Sequence, residues 1–165
     1  MISALLSACA YVGLSVGAVL GAEVDDHRQQ LDANYRAYAG EDFGDWRVEF
    51  SAERLASGIS FDNVLAIAYG VASRRDFDAG PYTLSAGVGA DMLDVQSVQG
   101  VQKPVQGSGF SAHVDFGIER RLRSDVFATA NVSFRASNLD FPSGSNVTFD
   151  DWRTSSLTFG LRKEF

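Results

Sequence analysis

The feature that most constrains this chain is an apolar alternation of period two, recurring from about residue 11 to the last residue. Val12, Leu14, Val16, Ala18, Leu20 and Ala22 alternate with Gly13, Ser15, Gly17, Val19, Gly21 and Glu23. Near the other end Leu157, Phe159, Leu161 and Phe165 alternate with Ser156, Thr158, Gly160, Arg162 and Glu164. Successive side chains of a strand point to opposite faces, so such a pattern makes strands with one apolar and one polar face. Helical spacing is hard to find anywhere. The alternation predicts strands at about 11–25, 31–40, 46–55, 63–74, 82–93, 109–121 and 126–137, with a last one ending at residue 165. That makes about eight strands of roughly ten residues each, long enough to cross a bilayer when tilted.

The connections carry a second regularity. Gly40–Asp45, Asp76–Pro81 and Leu122–Asp125 read as tight turns after the second, fourth and sixth strands. The fifth and seventh strands lead into long polar segments, about 94–108 and 138–151. Length therefore gathers at one end, as in barrels with short inner turns and long outer loops.

Composition narrows the class. A formal charge of −7 argues against nucleic acid as a partner, because phosphate binding needs a basic face. One cysteine, Cys9, allows no internal disulfide and no thiolate metal cluster, and the reading names no cofactor and no metal. Sixteen glycines beside three prolines suit strands with small side chains in tight space more than linkers. Residues 1–10 end in Ala8-Cys9-Ala10, a small-x-small cleavage pattern. They are expected to be the remnant of an export signal, with residues 11–165 forming one barrel domain.

Alternation alone does not say which face is wet. A soluble barrel of lipocalin type turns the apolar set inward, and a membrane barrel turns it outward. The polar set decides: it mixes Gly, Ser, Ala and Thr with Arg36, Arg47, Glu49, Glu53, Asp91, His113, Asp115, Glu119, Arg121, Arg135 and Arg162. Small residues gain nothing on a face washed by water. Inside an eight-stranded barrel they leave the room that side chains need. Charges of both signs fit a buried, mutually paired network. The aromatics Trp46, Tyr82, Phe110 and Trp152 fall near strand ends and are expected to form interfacial girdles.

The ending is similar to the C-terminal assembly signal of bacterial outer-membrane barrels, through Thr158, Gly160 and Phe165; Lys163 stands where that pattern has a hydrophobic residue. Asp45-Trp46-Arg47-Val48-Glu49 and Gly80-Pro81-Tyr82-Thr83-Leu84 resemble the turn-then-rising-strand segments of the same proteins. From about residue 11 to 165 the chain resembles the small eight-stranded outer-membrane barrels of the OmpA, OmpX and opacity type. The resemblance implies a Gram-negative outer-membrane surface protein. Its expected partners are outer-membrane lipid or lipopolysaccharide, the barrel-assembly machinery through the last strand, and host or envelope surfaces.

One constellation raises a catalytic alternative. Ser111, His113 and Asp115 share a face of one strand, and lipid A-modifying barrels use histidine, serine and a carboxylate. Residues two apart on a strand lie ~6.5–7 Å apart, which is poor geometry for a relay. The sequence therefore predicts a closed, antiparallel, all-β transmembrane barrel with a polar interior, an apolar exterior and no large pore. It is read as a structural or surface-interaction protein, not an enzyme. A lipid A-modifying enzyme and a soluble ligand-binding barrel are the alternatives.

Overall fold

All eight strands read from the alternation form, and most run longer than the pattern suggests. The computed structural model describes residues 11–24, 27–28, 33–58, 62–99, 104–144 and 151–165. Residues 1–10, expected to be a signal remnant, lie outside this set. The barrel strands are β1 (Tyr11–Val24), β2 (Ala33–Phe43), β3 (Trp46–Gly58), β4 (Asp62–Ala79), β5 (Tyr82–Gln99), β6 (Val105–Arg121), β7 (Val126–Asp140) and β8 (Asp151–Glu164). Each pairs antiparallel with its sequence neighbour, and β1 pairs with β8 to close the cylinder. A two-residue strand, His27–Arg28, folds back on the end of β1.

Two of the expected turns shrink to two residues. Phe43 pairs with Trp46, leaving Gly44 and Asp45 as the turn, and Ala79 pairs with Tyr82, leaving Gly80 and Pro81. Gly44 and Gly80 take φ of 71° and 69° at the first turn position, which glycine adopts without strain. Pro81 fixes φ near −65°, and the pair makes a primed hairpin turn matched to strand twist. Asp76, expected in a turn, is therefore a strand residue. At the opposite end the first long polar segment is mostly strand, and the second begins as one. In the stretch 94–108, β5 continues to Gln99 and β6 begins at Val105, and β7 continues to Asp140. At these strand tips the alternation inverts, with Asp94, Gln96 and Asp140 outward and Leu93, Val95 and Leu139 inward, which hides the strands from a rule that keeps the apolar set outside.

The closing seam requires close approach. A Cβ on Gly17 would collide with the backbone of Leu157 and Thr158, and one on Gly160 with that of Leu14. Just above, Val19 pairs with Ser156 while Gly21 pairs with Ser155, so Leu20 is an extra residue. This β-bulge reverses the parity of β1. Ala22, expected on the outer face, is consequently buried inside.

The two faces separate cleanly. Leu14 and Phe110 point outward, 69% and 68% exposed, in company with Val16, Phe50, Val88, Met92, Phe116, Phe134, Phe159 and Leu161. Along β5 the outward set runs Tyr82, Leu84, Ala86, Val88, Ala90 and Met92, then becomes Asp94 and Gln96. At ~3.4 Å per residue and a tilt of ~40°, that apolar run rises about 25 Å, the height of a bilayer's hydrocarbon band. β4 and β5, 18 residues each, continue beyond it.

Candidate functional site: the filled lumen and its outer end

Parity carries the polar residues inward, where they meet side chains from across the barrel. Among the described residues five arginines (Arg36, Arg47, Arg74, Arg135, Arg162) and five carboxylates (Glu49, Glu53, Asp91, Asp115, Glu119) are buried, with His113 between Asp91 and Asp115. Nearest the short turns, Arg47 bridges Asp76 and Glu119, each at 2.7 Å. Arg162 reaches the second carboxylate oxygen of Glu119 at 2.9 Å and Glu164 at 3.0 Å, and its guanidinium lies over the rings of Tyr11 and Phe127. Higher up, Arg74 pairs with Glu49, with Asp115 at 2.9 Å, and donates to the Asn131 amide oxygen at 3.0 Å. Arg36 stands 3.8 Å from Glu49 and 3.7 Å from Asp115. Above these, Arg135 pairs with Glu53 at 2.6 Å and Asp91 at 3.0 Å, and the Asn34 amide donates to Glu53 at 2.6 Å. Burying one unpaired charge costs several kcal/mol, so this interior is stable only as a matched set.

Glycines on the inner face make room for it. Gly89 lies under the His113 ring, Gly87 beside the Arg74 stem and Gly70 beside Asp91, each too close to admit a Cβ. The wall formed by β1, β7 and β8 carries hydroxyls instead: Ser15, Ser133, Ser137, Thr154, Ser156 and Thr158, all buried.

Ser111 and His113 do not form a nucleophile–base pair. The Ser111 hydroxyl donates to Asp91 Oδ2 at 2.8 Å, and His113 Nδ1 lies 2.9 Å from the same oxygen. The other ring nitrogen faces Asp115 at 3.4 Å. Both side chains converge on a β5 carboxylate inside the lumen, away from the lipid face.

The long-loop end of the lumen is closed differently. Leu55, Ala66, Ala68, Leu93, Val95, Leu139 and Trp152 form an apolar cluster there, with Phe141 folded against it and resting on Gly107. Trp152 thus departs from the expected girdle: it is fully buried and points inward, on the same parity as Thr154, Ser156 and Thr158. Trp46, Tyr82 and Phe110 do face outward. Arg121, expected in the interior network, is exposed at the short-turn rim, past the last inward-facing level of β6. Its guanidinium covers Phe127 at 5.1 Å. Of the proposed assembly residues, Thr158 is buried inside, Gly160 lies on the β1 seam, and Phe165 is exposed with Lys163 over its ring at 5.6 Å.

Arg74, Asn34 and Asp76 were not among the residues expected inside. Arg74 was detectable: it continues the inward series Ala66, Ala68, Gly70 and Ala72. Asp76 was hidden by the glycine and proline that follow.

An apolar belt outside, matched charges within and a closed cylinder define the class: a transmembrane β-barrel whose lumen is filled by its own side chains. No protein-family model matches the chain, and no curated protein matches it in sequence. Solved structures do. Neisserial surface protein A superposes with a TM-score of 0.75 at 17% identity, over 94% of this chain and 97% of that one. OprG of Pseudomonas aeruginosa gives 0.61 at 10% identity, over 95% and 96%. Ail, the attachment invasion locus protein of Yersinia pestis, gives 0.56 at 17%, over 94% and 99%. The chain has the fold of the small eight-stranded outer-membrane barrels.

Proposed function

We propose that this barrel is a non-enzymatic surface protein of the outer membrane, anchoring and displaying the strand tips and loops at its long-loop end. The observation that carries this reading is the filled lumen: paired charges below and an apolar cluster around Trp152 above leave the protruding strands and loops as the parts that can meet other molecules. The fold-level likeness to Ail, which has also been solved with the heparin analogue sucrose octasulfate, supports a role in contact with external surfaces. The engagement of both Ser111 and His113 with Asp91 supports a non-catalytic interior. The assembly machinery is the expected partner of β8.

The test has two arms. Cells expressing the protein should yield a heat-modifiable band in the outer-membrane fraction, and an epitope placed at residues 100–104 should be reached by antibody on intact cells. Purified barrel in a planar bilayer should show no stable large openings. A labelled loop accessible only after lysis would refute surface display, and sustained conductance would refute the filled lumen. Lipid A of altered mass from expressing cells would replace the reading with an enzymatic one.

A further inference from the structure

The lipid-facing wall is not uniform. At mid-height on β2 the outward residues are the small Ala37 and Ala39, and β3 contributes Ala52 beside Ala37. On either side stand Leu14, on β1, and Phe50, on β3. The small side chains thus floor a groove of about 1270 Å³ on the outside of the barrel. On one cross-strand row, Ala37 and Ala52 separate Leu14 from Tyr69, three strand spacings and so ~14 Å. That width admits acyl chains side by side.

The groove has a polar head. In register across its long-loop end lie Tyr35 and Arg54, with the Arg54 guanidinium 5.9 Å over the Tyr35 ring. Both face outward and are exposed. Among the described residues Arg54 makes no ion pair, whereas the buried arginines are held by carboxylates. It also sits at the top of the apolar belt, eight residues along β3 from Trp46 at the short-turn rim. A cation without a carboxylate partner among the described residues, above an apolar trough, is complementary to a phosphate joined to several acyl chains.

We propose that this groove is a lipid site of the outer leaflet: Arg54 and the Tyr35 hydroxyl hold a lipid A phosphate of lipopolysaccharide, and its acyl chains lie on Ala37, Ala39 and Ala52. The proposal rests on the outer-membrane orientation above, which places the long-loop end outside. The outer leaflet is where a phosphorylated, multiply acylated lipid meets this end of the barrel.

The test is native mass spectrometry of the folded, detergent-solubilised barrel titrated with bis-phosphorylated hexa-acylated lipid A, and separately with phosphatidylglycerol. Wild type should bind one lipid A in preference to phosphatidylglycerol. Arg54→Ala should lower occupancy about fivefold, the weight of one interfacial cation against a phosphate, and Arg54→Lys should lower it less. Ala39→Phe should lower it by obstructing the trough, while Ala86→Phe on the opposite wall should not. Heat-modifiable migration confirms that each variant is folded. Unchanged occupancy in Arg54→Ala or Ala39→Phe, or equal binding of the two lipids, overturns the proposal. So does a dimer that Ala39→Phe abolishes, because a second copy would then cover the face. Absence of the protein from the membrane fraction is a separate failure, of the orientation itself.

Discussion

Replacing Arg74 by methionine is the sharpest probe of the matched interior. The substitution keeps an apolar stem beside Gly87 but removes the charge that Glu49 and Asp115 share, and the donor that Asn131 accepts. Five buried carboxylates would then face four buried arginines. Arg36, at 3.8 Å and 3.7 Å from the two orphaned groups, compensates only in part. Removing one member of a buried ion pair costs about 3–5 kcal/mol, a large part of the ~5–15 kcal/mol that holds a typical domain. With a denaturant slope near 2 kcal/mol per molar, Arg74→Met should lower the urea midpoint in lipid vesicles by about 2 M. Adding Glu49→Gln restores four against four and should return about 2 kcal/mol of that loss. Reversible unfolding is followed by tryptophan emission and gel migration. A loss below about 1 kcal/mol, or a double variant no more stable than the single one, would refute the claim that charge balance governs this lumen.

Single-tryptophan variants should separate the chain's two tryptophans: brominated lipid should quench Trp46 in Trp152→Phe and leave Trp152 dark to it in Trp46→Phe. Equal quenching of both would put Trp152 back in the girdle. Trp152→Ala should cost about 3–5 kcal/mol in vesicle unfolding through the cavity it leaves among Leu55, Leu93, Val95 and Leu139. Gly89→Ala, which drives a methyl group into the His113 ring, should cost about 1–3 kcal/mol, and a neutral result would mean the ring is free to move. Phe165→Ala should reduce the folded fraction recovered from membranes, with equilibrium stability little changed because the side chain is exposed at the rim; normal yield would remove it from assembly.

The fold was legible because one physical rule, period two, ran through the whole chain and the small residues fixed its polarity. Where the rule was overridden by a residue's type, the reading failed. Trp152 lies on the inward parity of β8, yet its size suggested an interface position. Arg121 shares the parity of Glu119, yet it stands one level too low to be enclosed. The bulge at Leu20 leaves no local trace: an extra residue in an apolar run is visible only against the partner strand. The long-loop ends of β5, β6 and β7 were hidden for another reason. Above the hydrocarbon band the outward face turns polar, as at Asp94 and Gln96, and the inward face apolar, as at Leu93 and Val95, so a rule that keeps the apolar set outside loses the strand there.

The apolar stopper around Trp152 makes the interior a blind well. Among the described residues the charges nearest the short turns have partly exposed partners in Asp76 and Glu164, whereas the other end is capped by the apolar cluster. On the orientation proposed above, this charged interior faces the compartment beneath the membrane, and an acid pulse in the surrounding medium reaches it only by way of that side.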